Sequence, residues 1–188
     1  MLHTNAQNIS ENEEVVIPLF NAGNKIWLEH DNKKADVVLI PVNLDRNRYV
    51  LHILDESYIE SSNLDIKIEK IFVMGYPFGW YDNVNNLPIT RIGHLSSPFK
   101  VPFQNKPFML GDVQTHKGMS GGPVLMYLKD FVTIDANGNR TMNIGASRTL
   151  LVGINSATVN WPIGNETVLS GLIIIWFPEL ILEILQQN

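Results

Sequence analysis

"KGMSGGPVL", residues 117–125, is the stretch on which the reading of the chain depends. It places Ser120 two residues after Gly118 and directly before Gly121-Gly122, then enters Pro123-Val124-Leu125 as a strand would. Glycines let a backbone turn sharply and let another molecule come close to it. A reactive serine needs both. The segment marks Ser120 as a candidate nucleophile and raises the question of which residues would activate it.

Outward from that stretch, most apolar segments are short, rich in Val and Ile, and bounded by Gly, Pro, Asn or Asp. Residues 13–20, 24–30, 36–42, 48–55, 70–77, 88–97 and 107–114 read as strands. Residues 122–134 and 140–159 flank "DANGNR", where Asn137-Gly138 is a hairpin signal. The same "DANGN" resembles the start of a calcium loop, but Arg140 stands where Gly is required and Ala146 where Glu is required. The turn reading wins. Helical spacing is confined to 178–187, after a strand over 171–177, with Pro178 in the first turn. Strands at this spacing predict an all-β sandwich or barrel. The polar, acidic stretch 55–69 divides the strands into two groups, giving expected domains of 1–62 and 63–188.

Composition removes several function classes. The chain has 188 residues, 45% of them hydrophobic, enough for a real core. A formal charge of -5 with scattered basic residues argues against nucleic acid or an anionic membrane as partner. The absence of cysteine excludes disulfides, thiolate zinc sites and cysteine nucleophiles. No pair of histidines with a carboxylate has metal-ligand spacing, so neither a metal nor another cofactor is expected. The apolar run 171–185 is interrupted by Pro178, Glu179 and Glu183 and is too short for a membrane span. The first fourteen residues are polar and acidic, unlike a secretory signal, so a cytoplasmic location is expected. The sequons at Asn8 and Asn165 then read as chance.

Gly118-Met119-Ser120-Gly121-Gly122 matches two nucleophile patterns. The G-x-S-x-G elbow of α/β-hydrolases runs from a strand into a helix, and its histidine follows the serine. Here Pro123 and β-type residues follow, and no histidine occurs after His116. That reading fails. The other pattern has the order His, Asp, Ser. Asp36, ahead of the apolar run "VVLIPV", supplies the acid. Such an anion fixes the tautomer of a neighbouring histidine and stabilises its imidazolium. The plainer alternative is that Asp36 ends an exposed turn after Lys33-Lys34.

Together, "ADVVLIPV", "IFVMGYPFG", "RIGHLSS", "GDVQTHKGMSGGPV" and "LLVGINSAT" resemble a bacterial trypsin-like serine peptidase of the chymotrypsin fold, near the Htr-type branch. The resemblance covers most of residues 24–180. It implies two β-barrels, the first incomplete, with a C-terminal helix. It implies Ser120 as nucleophile, Asp36 as the orienting acid, and the backbone N–H groups of Gly118 and Ser120 as the oxyanion hole. Ser156, Ala157 and Thr158 are implied to lie along the backbone of a peptide or protein substrate and to extend it as an added strand. Met119 stands where trypsin has the Asp that pairs with a newly freed amino terminus, so activation by that route is not expected.

The pattern departs from the family at the histidine. Only His3 and His30 precede Asp36. His30 reads as a surface residue, and His3 lacks the preceding strand and the small turn typical of the family. Met1-Leu2 resembles the apolar pair that normally follows that histidine, so the base is expected upstream of Met1, with His3 as the alternative. A barrel lacking its first strands would expose pairing edges and invite self-association. Thr115 falls on the wall of the primary specificity pocket, as in relatives preferring glutamate or glutamine. Asn155 falls where those relatives carry a histidine, and a neutral wall is the plainer reading of Thr115. Gln114 at the pocket base disfavours Lys or Arg. Three classes remain: an active endopeptidase, a non-catalytic module that binds peptides or partner proteins, and a structural scaffold.

Overall fold

The computed structural model describes residues 1–60, 63–66, 69–163 and 166–187. The expected boundary at residue 62 and the Asn165 sequon lie outside the described residues. The protein is predominantly β. Three two-stranded pieces come first: β1 (Leu2–His3) with β2 (Asn12–Glu13), β3 (Phe20–Asn21) with β4 (Asn24–Lys25), and β5 (Leu28–Glu29) with β6 (Val38–Leu39). Then follow β7 (Asn63–Leu64), β8 (Lys70–Gly75), β9 (Ile89–Leu95), β10 (Phe108–Asp112), β11 (Pro123–Ile134), β12 (Arg140–Ile163), β13 (Glu166–Trp176) and α1 (Glu179–Gln187).

Antiparallel pairing runs β8–β9–β10–β13–β12–β11 and returns from β11 to β8, so these six strands close on themselves. Period-2 alternation turns one face of each strand to the inside of the ring. Ile71 and Val73 of β8, Val124, Met126 and Leu128 of β11, and Ile173 and Ile175 of β13 face one shared interior. Leu95, Met109, Leu150 and Val152 complete it, so every strand of the ring contributes. Each fully buried Ile or Leu there contributes about 1.5–3 kcal/mol relative to exposure. The β11–β12 hairpin turns at Asn137-Gly138, where Gly138 takes φ +82° and its N–H bonds Asp135 O at 3.0 Å. Asn139 and backbone N–H groups around the turn also bond the Asp135 carboxylate and lower its pKa.

The outer face of β10 and β13 carries a second cluster. Phe108, Leu110 and Trp176 pack there with Leu180 and Ile184 of α1 and with Val37. This cluster holds residues 35–39 against the outside of the barrel and thereby places Asp36. His30 Nε2 donates to Glu183 of α1 at 2.8 Å, because His30 Nδ1 already accepts from Asn32 N–H at 2.9 Å. The expected surface histidine therefore docks a turn onto the helix.

Residues 1–60 differ from expectation. The strands expected over 13–20 and 48–55 do not form: only Asn12–Glu13 and Phe20–Asn21 pair in the first, and none of the second. Val16, Ile17, Leu19, Ile53 and Leu54 are exposed, so these apolar runs face no second sheet that could bury them. A β-branched run supplies propensity, but burial and a pairing partner decide whether a strand forms. Glu60, in the polar stretch read as a boundary, is buried and ion-paired to Arg148 of β12. Glu60 thus ties the described start of that stretch to β12. No described helix is long and apolar enough to cross a membrane.

Candidate functional site

Two successive tight turns present Ser120. The first spans His116–Met119, closed by Met119 N–H to His116 O at 3.1 Å, with Gly118 third at φ +95°. The second spans Met119–Gly122, closed by Gly122 N–H to Met119 O at 3.2 Å, with Gly121 third at φ +81°. A positive φ at the third position of such a turn is the condition that selects glycine. At Gly118 space is also absent, since a Cβ would lie 2.3 Å from Tyr76 O. Met119 between the turns is fully buried in the barrel core and anchors the loop. Ser120 is left exposed at the apex.

The turns settle the backbone hydrogen bonds of the loop. Gly121 N–H donates to Asn155 O at 2.7 Å and Asn155 N–H to Gly122 O at 3.0 Å, fixing the loop to β12. Among the described residues, the N–H groups of Gly118 and Ser120 have no assigned acceptor. Asn155 is buried, and its Nδ2 donates to Met119 O at 2.8 Å. It braces the loop from below.

The β12–β13 register shifts between Asn155, opposite Ile175, and Thr158, opposite Ile173. Three steps on β12 thus match two on β13, so Ser156 and Ala157 sit on a bulge. Bulges re-aim side chains. Ser156 Oγ donates to Asp36 Oδ2 at 2.7 Å, and Ser156 O accepts from Ser120 Oγ at 2.5 Å. Asp36 and Ser120 therefore both bond one residue, although 84 positions of sequence separate them (120 less 36). Asp36 is exposed to solvent there, as the plainer reading of an exposed turn also had it.

Thr115 Oγ1 and Thr158 Oγ1 lie 3.4 Å apart, so the expected pocket wall and the expected substrate strand meet through their hydroxyls. The Gln114 backbone carbonyl accepts from Arg91 Nε at 3.0 Å and its side-chain Oε1 from Arg91 Nη2 at 3.3 Å. Ala157 is exposed. Of the histidines, His116 stacks on Phe78 with ring centroids 4.9 Å apart. His3 sits in β1, its backbone carbonyl accepting from Val50 N–H at 2.9 Å, while its Nδ1 is buried without a partner. Among the described residues, no histidine bonds to Ser120 or Asp36.

Two features escaped the sequence. One is the Ser156 hydroxyl as the bridge to Asp36, signalled only by a polar "NS" inside an apolar strand. The other is the loop 76–81, bonded to the serine loop through Phe78 N–H to Lys117 O at 2.6 Å. No family model, no curated protein and no solved structure matches the chain.

Proposed function

We propose that the chain is the core of a chymotrypsin-like serine endopeptidase, with the six-stranded ring as its second barrel. The observation that carries this reading is the Asp36–Ser156–Ser120 line beside two unengaged N–H groups. Ser120 is the nucleophile, Asp36 the orienting acid, and the Gly118 and Ser120 N–H groups the oxyanion donors. An imidazole between Asp36 and Ser120 would take the hydroxyl proton as Oγ attacks the scissile carbonyl carbon. It would return that proton to the departing amine, leaving an acyl-serine for water to hydrolyse. The oxyanion donors act on charge that exists only in the transition state.

Among the described residues no histidine bonds Ser120 or Asp36, so the two sources of this imidazole that the labelling below separates are a histidine upstream of Met1 and His3. The alternative is a non-catalytic module that binds peptide through the same strand edge. It is favoured by the resting hydrogen bond, since Ser120 spends its proton on a backbone carbonyl.

Fluorophosphonate labelling separates the two. Residues 1–188 should label weakly, and a chain extended upstream through a histidine should label strongly at Ser120. Ser120→Ala should abolish labelling without loss of fold. Full labelling of residues 1–188 that His3→Ala removes would make His3 the base. Silence of the extended chain would leave the binding module.

A further inference from the structure

Beside the serine loop lies a set of aromatic side chains that the reading above does not use. Phe78 is 74% exposed and Trp80 76% exposed, and Tyr76 and Tyr81 are also exposed. Phe78 takes φ +56°, a backbone state that bulky residues avoid. It is held there by Gly79 N–H to Tyr76 O at 2.9 Å, Trp80 N–H to Pro77 O at 2.8 Å and its own N–H to Lys117 O. Strain of this kind persists where the surroundings over-determine it, and it gathers at binding and catalytic positions. The loop holds a large ring outward beside the serine loop.

Pro77, Phe78, Trp80, Ile89, Arg91 and His116 line a cavity of about 530 Å³ there. The Phe78–His116 stack makes one wall, and Arg91, clamped by Gln114, places a cation at the rim. Aromatic walls with a fixed guanidinium suit an aromatic guest, by ring packing and cation–π attraction. Its place beside the serine loop selects the guest. A Cβ on Gly118 would lie 2.3 Å from Tyr76 O and 3.4 Å from Phe78 N, so the cavity adjoins the donors over which a peptide carbonyl would rest. Phe78 N–H also bonds Lys117 O, next to Gly118, so a side chain of that peptide reaches this cavity.

We infer that the Phe78–Trp80–His116 cavity binds an aromatic side chain of the peptide substrate, close to the bond held at Ser120. The inference rests on the peptide-binding reading of the Ser120 site, but it does not require catalysis.

The test is a titration of isotope-labelled protein, followed by NMR, with Ac-Ala-Ala-Ala-Phe-Ala-NH2 and with its all-alanine counterpart. The Phe peptide should bind at least about tenfold more tightly, the worth of burying one aromatic ring. It should shift amides of 78–80 and 156–158 together. Trp80→Ala should erase the difference. Phe78→Gly should erase it too while unfolding no more easily than the parent, because glycine relieves the positive φ. Equal affinities, shifts at 78–80 without 156–158, or no binding of either peptide at about 1 mM would overturn the inference. So would a dimer in sedimentation that Trp80→Ala dissociates, since the cavity would then belong to a second copy. Phe preference, with Ser120 fluorophosphonate-silent even in the chain extended upstream through a histidine, sinks catalysis alone. Labelling of Ser120 with equal affinities sinks the aromatic site alone.

Discussion

The six-stranded ring and residues 1–60 are built from similar apolar runs and reach opposite outcomes. "KIFVMG" becomes β8 with Ile71 and Val73 fully buried, while Val16 and Ile17 of "EEVVIPLF" stay exposed. The ring is held by an interior to which every strand contributes. Residues 1–60 are held by two-residue pairings and side-chain ties such as Arg48 to Glu13 at 2.7 Å and Lys33 to Glu29 at 2.9 Å. Exposed ion pairs of that kind are worth roughly 0–1 kcal/mol each. The candidate site spans this divide. Its glycine turns rest on Met119 in the core, whereas its acid arrives on an arm fastened through Val37 and α1.

The largest expected effects therefore fall in the ring. Ile173→Ala, which hollows its interior, should cost about 2–5 kcal/mol in denaturant unfolding. Val16→Ala, the matched change in the first segment, should fall within about 0.5 kcal/mol of the parent. Equal losses would dissolve the contrast.

Gly118→Ala comes next. The new methyl meets Tyr76 O, and φ +95° disfavours any side chain. A loss of about 1–3 kcal/mol is expected, together with movement of the serine loop seen as shifted amides at 117–121. An unchanged unfolding midpoint would mean that the first turn is not under this constraint.

Asp36→Asn should hardly move stability, by no more than about 0.5 kcal/mol, because the side chain is exposed and keeps a partner in Ser156. In the extended, labelling-competent chain it should slow fluorophosphonate reaction strongly, since the imidazolium loses its anion. Unaltered reactivity would remove Asp36 from the mechanism.

The smallest effect is a pH response of the first region. Hydrogen bonds from Lys25, Lys33 and Trp27 pull the Glu29 pKa down from 4.5 to about 2. A depressed carboxylate pKa stabilises the fold above the unfolded value, and that contribution fades as pH falls from about 4.5 through about 2. Trp27 fluorescence should report loosening over this window while the ring's circular dichroism stays constant. A coincident change in both would make the two regions one cooperative unit.

The ring was legible because alternation, the Asn137-Gly138 hairpin and terminal helix spacing all point the same way. The first region was overread: Val and Ile runs announce strand propensity but say nothing of a partner to bury against. At the site, the glycines showed the turns, and Ser120 could be placed at their apex. The bond of Ser156 to Asp36 was out of reach, because it depends on a one-residue register shift between β12 and β13. The exposed ring of Phe78 was equally hidden, since its positive φ belongs to the loop and not to the residue type.

Residue-resolved amide hydrogen exchange at neutral pH tests most directly the claim that a stable ring carries a loop with two unengaged donors. The account predicts slow exchange for β8–β13 and for Gly121 and Asn155, whose N–H groups are bonded at 2.7 Å and 3.0 Å. It predicts fast exchange for Gly118 and Ser120, which stand between protected neighbours, and for most of residues 1–60. Slow exchange at Gly118 and Ser120, or protection in residues 1–60 equal to that of the ring, would contradict it.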